Sequence, residues 1–244
     1  MKMEAIKAVN IVKQYKEVRA LDSLSLSVEE GELFSLLGVN GAGKSTLVKI
    51  LSCLLSPTSG EGYILGRSVI AESDEVKKNI AVSPQESAVA PMLTVRENLE
   101  LIAGVHGFSK EKRAEKISEL CELLSLSEVI DRPAGKLSGG YQRRLSVAMA
   151  LVSEPKVLFL DEPTLGMDVL ARAELWEVIR ALRGRVTVVL TTHYMEEAEA
   201  LSDRIGIMNK GRLITVDTPD NIKAKVGAGS VEEAFIKIVK GAEK

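Results

Sequence analysis

The chain has 244 residues, 45% of them apolar, a formal net charge of −2 and two cysteines, Cys53 and Cys121. That length suits one large domain, or a domain carrying an inserted subdomain, with material for a sizeable core. The charge balance excludes the basic footprint of a nucleic-acid binder. The distant cysteines exclude a C-x-x-C site and fit a reduced cytosolic setting, and no apolar run approaches the ~18 residues of a bilayer span.

The start, Met1-Lys2-Met3-Glu4-Ala5, has no apolar h-region, so no secretory signal is expected. Residues 5–11 and 23–28 read as strands, and residues 33–37 as a buried strand broken by Gly38. Leu47, Ile50, Leu51 and Leu54 then recur at helical spacing. After a loop over 56–60 come short strands at 61–65 and 80–82, the second ending in Ser83-Pro84-Gln85. The character changes there. Thr94-Val95-Arg96-Glu97 is a capping box opening a helix through Ala103. Ser109 opens a second helix, and Ser138 precedes a third. Strand character returns at 157–160 and 186–191, with a helix between them. Residues 204–208 and 212–216 flank Asn209-Lys210-Gly211 as a hairpin. Residues 219–244 form a short tail whose one amphipathic piece is 231–239. Alternating strands and helices predict a parallel, doubly wound sheet, interrupted by a helical insert.

Three segments carry chemistry. Gly38-Val39-Asn40-Gly41-Ala42-Gly43-Lys44-Ser45 matches G-x-x-x-x-G-K-[ST] between a strand and a helix. Its glycines let backbone N–H groups converge on phosphate oxygens at a helix N-terminus. Lys44 can reach the β- and γ-phosphates, Ser45 offers a hydroxyl to Mg²⁺, and Thr46 stands near the α/β phosphates. The pattern indicates a nucleoside triphosphate with Mg²⁺ and is silent on the base.

Asp161 and Glu162 follow the apolar strand at 157–160, which Pro163 ends. Neighbours on a strand face opposite ways, so the natural division gives Asp161 the Mg²⁺ and Glu162 the attacking water. The third segment, Ser138-Gly139-Gly140, opens a helix but lacks a phosphate-loop lysine. It could be a second anion-binding helix N-terminus, but on physics alone the ordinary serine N-cap is the favoured reading.

Together these segments resemble the nucleotide-binding domain of ATP-binding cassette (ABC) transporters, over roughly residues 4–217. Residues 38–45 look like the Walker A loop, Gln85 like the Q-loop glutamine, and 137–142 like the family signature. Residues 158–162 look like Walker B with the catalytic glutamate, Asp168 sits in the D-loop, and His193 looks like the switch histidine. Tyr15 stands where the family places an aromatic against adenine. Tyr141 departs from the usual signature glutamine, and Leu165, Met167 and Val169 depart from the common D-loop.

The resemblance implies a P-loop NTPase (RecA-like) α/β core over residues 1–85 and 154–218. It adds an N-terminal antiparallel β subdomain, an α-helical subdomain over about 86–153, and a tail over 219–244. It implies ATP and Mg²⁺, with Tyr15, Gly38, Asn40, Gly41, Ala42, Gly43, Lys44, Ser45 and Thr46 around one nucleotide. Glu162, His193, Lys44 and Gln85 would be catalytic, and Ser45, Gln85 and Asp161 would hold the metal. Ser138, Gly139, Gly140 and Asp168 would complete the site of a second cassette, in a head-to-tail homo- or heterodimer. The sequence around His193 and the tail look like bacterial or archaeal export-type subunits for drug, sodium or polysaccharide efflux. Such a subunit works from the cytoplasm on the inner face of the membrane, with a separate permease. The alternative is a soluble single-cassette ATPase acting in an assembly process. Without the family, His193 reads equally as a capped turn histidine and Gln85 as a surface amide, and Tyr15 reads more readily as a packed aromatic than as a base platform.

Overall fold

In the computed structural model, which describes residues 3–86 and 88–242, β1 (Glu4–Tyr15) and β2 (Val18–Glu29) form a long antiparallel hairpin. Chain order then gives β3 (Leu33–Leu37), α1 (Lys44–Leu51), β4 (Ser59–Ile64), β5 (Arg67–Ser68), α2 (Ser73–Lys77) and β6 (Ile80–Ser83). Three helices follow: α3 (Val95–Val105), α4 (Lys110–Leu123) and α5 (Gly139–Leu151). The chain continues through β7 (Val157–Asp161), α6 (Val169–Ala181), β8 (Thr187–Thr192), α7 (Met195–Leu201), β9 (Arg204–Asn209) and β10 (Arg212–Asp217). It closes with α8 (Pro219–Lys225) and α9 (Val231–Ala242).

Two sheets result. An antiparallel sheet has the order β2-β1-β4-β5, and a larger sheet the order β10-β9-β3-β8-β7-β6. In the larger sheet β9, β3, β8, β7 and β6 run parallel, and β10 is an antiparallel edge. A strand covered on both faces reads as a continuous apolar run, which is how β7 and β3 look in the sequence. The two-residue period then sorts their side chains. Leu158 and Leu160 enter one core with α3–α6, while Val157 and Phe159 enter another with α1 and the antiparallel sheet. Strand β3 feeds three cores: Leu33 goes to the first, Phe34 and Leu36 to the second, and Leu37 to a third with α7, α8 and α9.

The helix starts follow from local chemistry. Thr94 and Glu97 form the reciprocal capping box, and Ser109 caps α4. Between 86 and 153 the only non-helical pairing among the described residues is an isolated bridge, Thr94 to Pro133. The tail differs from expectation. It holds two helices, because Thr218 caps a turn with Pro219 at its first position and its hydroxyl accepts from Asn221 N at 3.2 Å. Helix α2 and strand β5 are likewise too short to show a period.

Candidate active site

The phosphate loop hangs between β3 and α1. Its tightest point is Gly43, at φ +103°, where an added Cβ would lie 2.6 Å from the carbonyl oxygen of Ala20. Only glycine fits a left-handed residue pressed onto another backbone. Gly43 also leaves the helix N-terminus without a side-chain cap, so its N–H groups stay available.

Lys44 is 5% exposed, and its Nζ donates to the carbonyls of Gly38 at 2.7 Å and Val39 at 3.3 Å. Burial pushes its pKa down, and the nearby Glu162 and Asp161 pull it back. The ammonium thus lies folded against its own loop, 4.0 Å from Glu162 Oε1.

The end of β7 delivers both acids to this place. Asp161 Oδ1 accepts from Ser45 Oγ at 3.3 Å and from the Thr191 hydroxyl. Glu162 has left the strand, with φ +46°. For a non-glycine residue such a conformation costs about 1–3 kcal/mol and persists only where neighbours over-determine it. Here Glu162 N donates to both the carbonyl and the hydroxyl of Thr191, each at 3.1 Å. The turn swings the Glu162 carboxylate away from Asp161 and toward the loop. His193 follows β8, and its Nδ1 lies 3.3 Å from Glu162 Oε1. That nitrogen is buried and meets no partner with hydrogen-bond geometry.

A cleft of about 780 Å³ joins Gly41, Lys44 and Ser45 with Gln85, Glu162 and His193. Asn40, Ala42, Gly43 and Thr46 complete its floor, and Val18, Arg19, Ala20 and Lys210 line its other side. The sequence reading missed these last four. Val18 to Ala20 lie just past the turn after Tyr15, and Lys210 is in the β9–β10 turn. No motif marks them, since they reach the loop only through tertiary folding. Tyr15 itself is 45% exposed at the end of β1 and is not among the residues lining the cleft.

The remaining sequence-predicted residues lie elsewhere. Ser138 caps α5, with its Oγ accepting from Tyr141 N at 3.5 Å, and Gly140 packs toward Ala171. Asp168 caps α6, its Oδ1 accepting from Leu170 N and Ala171 N at 3.0 Å each. None of Ser138, Gly139, Gly140 or Asp168 lines the Lys44 cleft. One chain therefore brings together the phosphate loop, both acids, Gln85 and His193, and leaves the signature apart.

Residues 21–165 match the family profile described as ABC transporter. The chain is 43% identical over 229 residues to the daunorubicin resistance ATP-binding protein DrrA2 of Streptomyces coeruleorubidus, covering 93% of this chain and 71% of that protein. It superposes on a solved ATP-binding subunit of an ABC transporter with a TM-score of 0.85 at 26% identity, covering 96% of this chain and 99% of that one. A dimeric post-hydrolysis cassette, MJ0796 bound to ADP and Pi, gives a TM-score of 0.78 at 30% identity, covering 87% and 98%.

Proposed function

The chain belongs to the ABC transporter family as an ATP-binding, ATP-hydrolysing subunit, and we propose that it powers drug-type export as one half of a head-to-tail pair of cassettes. The transporter assignment replaces the assembly-ATPase alternative. Drug export is the reading that fits the resistance proteins among its relatives.

One observation carries the catalytic reading: Asp161 and Glu162, neighbours in sequence, diverge so that one meets Ser45 and the other faces Lys44 and His193. In this reading the loop N–H groups and Lys44 neutralise the β- and γ-phosphates. Glu162 accepts a proton from the attacking water, and His193 beside it holds the γ-phosphate. The Ser45 hydroxyl and Asp161 carboxylate are hard oxygen donors about one hydrogen bond apart. They fit Mg²⁺, which takes few protein ligands beside phosphate and water. Gln85 enters the same cleft and would contact the metal. When bound, Mg²⁺ would spread the charge of the transferring group. Tyr15 would swing against adenine.

The signature would act in trans. Ser138, Gly139 and Gly140 open α5 away from the chain's own cleft, which suits closure over the nucleotide of a second cassette, with Asp168 beside it. Dimeric relatives support pairing of two cassettes. Residues 86–153 would form the helical subdomain that docks a separate permease, placing the chain on the cytoplasmic face of the membrane. Among the described residues no helix is long and apolar enough to cross a bilayer, while Met92 is 88% exposed near the start of α3 and Val105 is exposed at its end.

The test is a pull-down of tagged Glu162→Gln with MgATP from detergent-solubilised membranes of the source cell. The expected result is a stoichiometric partner with several apolar spans. Recovery of soluble partners alone would sink the transport reading.

A further inference from the structure

Arg143 lies in the second turn of α5, five residues after Ser138, and is 4% exposed. A guanidinium carries five N–H donors and no acceptor. All five here go to backbone carbonyls. Nε donates to Pro163 O at 2.6 Å, and Nη1 to Gln85 O at 3.1 Å and to Pro84 O. Nη2 donates to Asp161 O at 2.8 Å and Glu162 O at 2.7 Å. The group therefore spans the ends of β6 and β7, the two strands that deliver Gln85 and the acid pair.

The contact with Glu162 matters most. Its left-handed backbone is held at the nitrogen by Thr191 and at the carbonyl by Arg143, with a further bond from Leu165 N at 3.2 Å. Without Arg143 the carbonyl side of that turn keeps only its short-range bond. Lysine could not replace the fork, since three donors on one point cannot reach both strand ends.

We propose that Arg143 is a positioning residue for ATP hydrolysis, fixing the backbones of Glu162 and Gln85 and tying both to the helix that begins at Ser138. This rests on Glu162 being the base. Arg143 touches no cleft surface of its own, so it sets where the carboxylate stands rather than how the nucleotide binds. Movement of α5 on engaging a partner's nucleotide is thereby felt at Glu162 of the same chain.

The experiment compares wild type, Arg143→Ala, Arg143→Lys and Glu162→Gln as full chains. It measures melting temperature, kcat and KM for MgATP, and recovery of kcat with added guanidinium at non-denaturing concentration. For Arg143→Ala the expected result is kcat lower by about a hundredfold, the scale of a misplaced reacting group, with KM changed by less than about threefold. Added guanidinium should restore part of that loss. Should Arg143→Ala fail to fold, Arg143→Lys carries the same kcat-against-KM split with a smaller loss, on the order of tenfold. Wild-type kcat in a folded variant overturns the proposal. So does a parallel loss in kcat and KM without guanidinium recovery, which marks a purely structural arginine. Normal turnover by Glu162→Gln overturns the reading beneath it. An inactive Glu162→Gln beside a fully active Arg143→Ala overturns this proposal alone.

Discussion

Helices α1 and α5 both start beside glycines, Gly43 at the cap of α1 and Gly139 at the first position of α5, and their N-termini are built differently. At α1 the cap position is left-handed and has no side-chain cap, and a buried lysine, two acids and a histidine surround it. At α5 a serine occupies the cap position, Gly139 has nothing within 4 Å of where a Cβ would stand, and no lysine follows. In the proposed function the first binds the phosphates of the chain's own nucleotide, and the second acts only on the nucleotide of another cassette. A helix N-terminus is thus a binding site in proportion to what else converges on it.

Breaking the first site gives the largest effects. Glu162→Gln is expected to bind MgATP normally and lose hydrolysis by about 10²–10⁴-fold, the range for removing a general base. Single-turnover and binding assays check it, and normal turnover would falsify the assignment. Lys44→Ala removes a charge-assisted phosphate contact worth about 3 kcal/mol, so nucleotide affinity should fall on the order of a hundredfold by calorimetric titration.

The α5 site should break only in company. Gly139→Asp meets open space in the monomer, so its melting temperature and ATP affinity should match wild type. Placed in the Glu162→Gln background, it should abolish the MgATP-dependent dimer seen by light scattering. A dimer that survives would contradict the half-site reading. Tyr15→Ala sharpens the comparison within the first site. Base stacking worth about 1 kcal/mol predicts a KM roughly fivefold higher with kcat unchanged, and an unaltered KM would leave Tyr15 the exposed residue it is here.

The smallest expected effect belongs to neither site. Glu197 on α7 is fully buried, and its Oε1 accepts from Thr164 Oγ1 at 2.8 Å and Trp176 Nε1 at 3.1 Å. Burial pushes its carboxyl pKa up, against the pull of those hydrogen bonds. A raised carboxyl pKa gives stability that is fully present below the unfolded value and lost as pH rises through the folded one. Glu197→Gln should therefore melt roughly 2–4 °C higher than wild type at pH 7, with the gain vanishing near pH 4. An identical difference between the two proteins at both pH values would mean that folding does not raise the Glu197 pKa.

Much of this was legible in the chain because it is local. The phosphate loop, the Thr94 capping box, the Ser109 cap and the apolar strand ending at Asp161 are each written within a few residues. Asp161 and Glu162 could be assigned different tasks from strand alternation and the break at Pro163. The structure adds that Glu162 itself turns left-handed. What was not legible depends on distance in sequence. Arg143 reads as one of two adjacent arginines on a helix, and nothing local says that its partners stand near 84 and 162. Val18, Arg19, Ala20 and Lys210 reach the loop only once the antiparallel sheet packs over β3. The α8 helix escaped because a seven-residue segment shows too little period, although Thr218-Pro219-Asp220 carries its start signal.

Strand β3 spreads its four apolar side chains, Leu33, Phe34, Leu36 and Leu37, over three cores, and this sets an order of melting. Its amides should exchange with deuterium only through global opening, since freeing them requires all three cores to separate. Helices α8 and α9 pack on one of those cores alone and should exchange through smaller openings. On warming, the tail should fray while the strand that carries the phosphate loop stays protected, so nucleotide protection should outlast the first loss of helix.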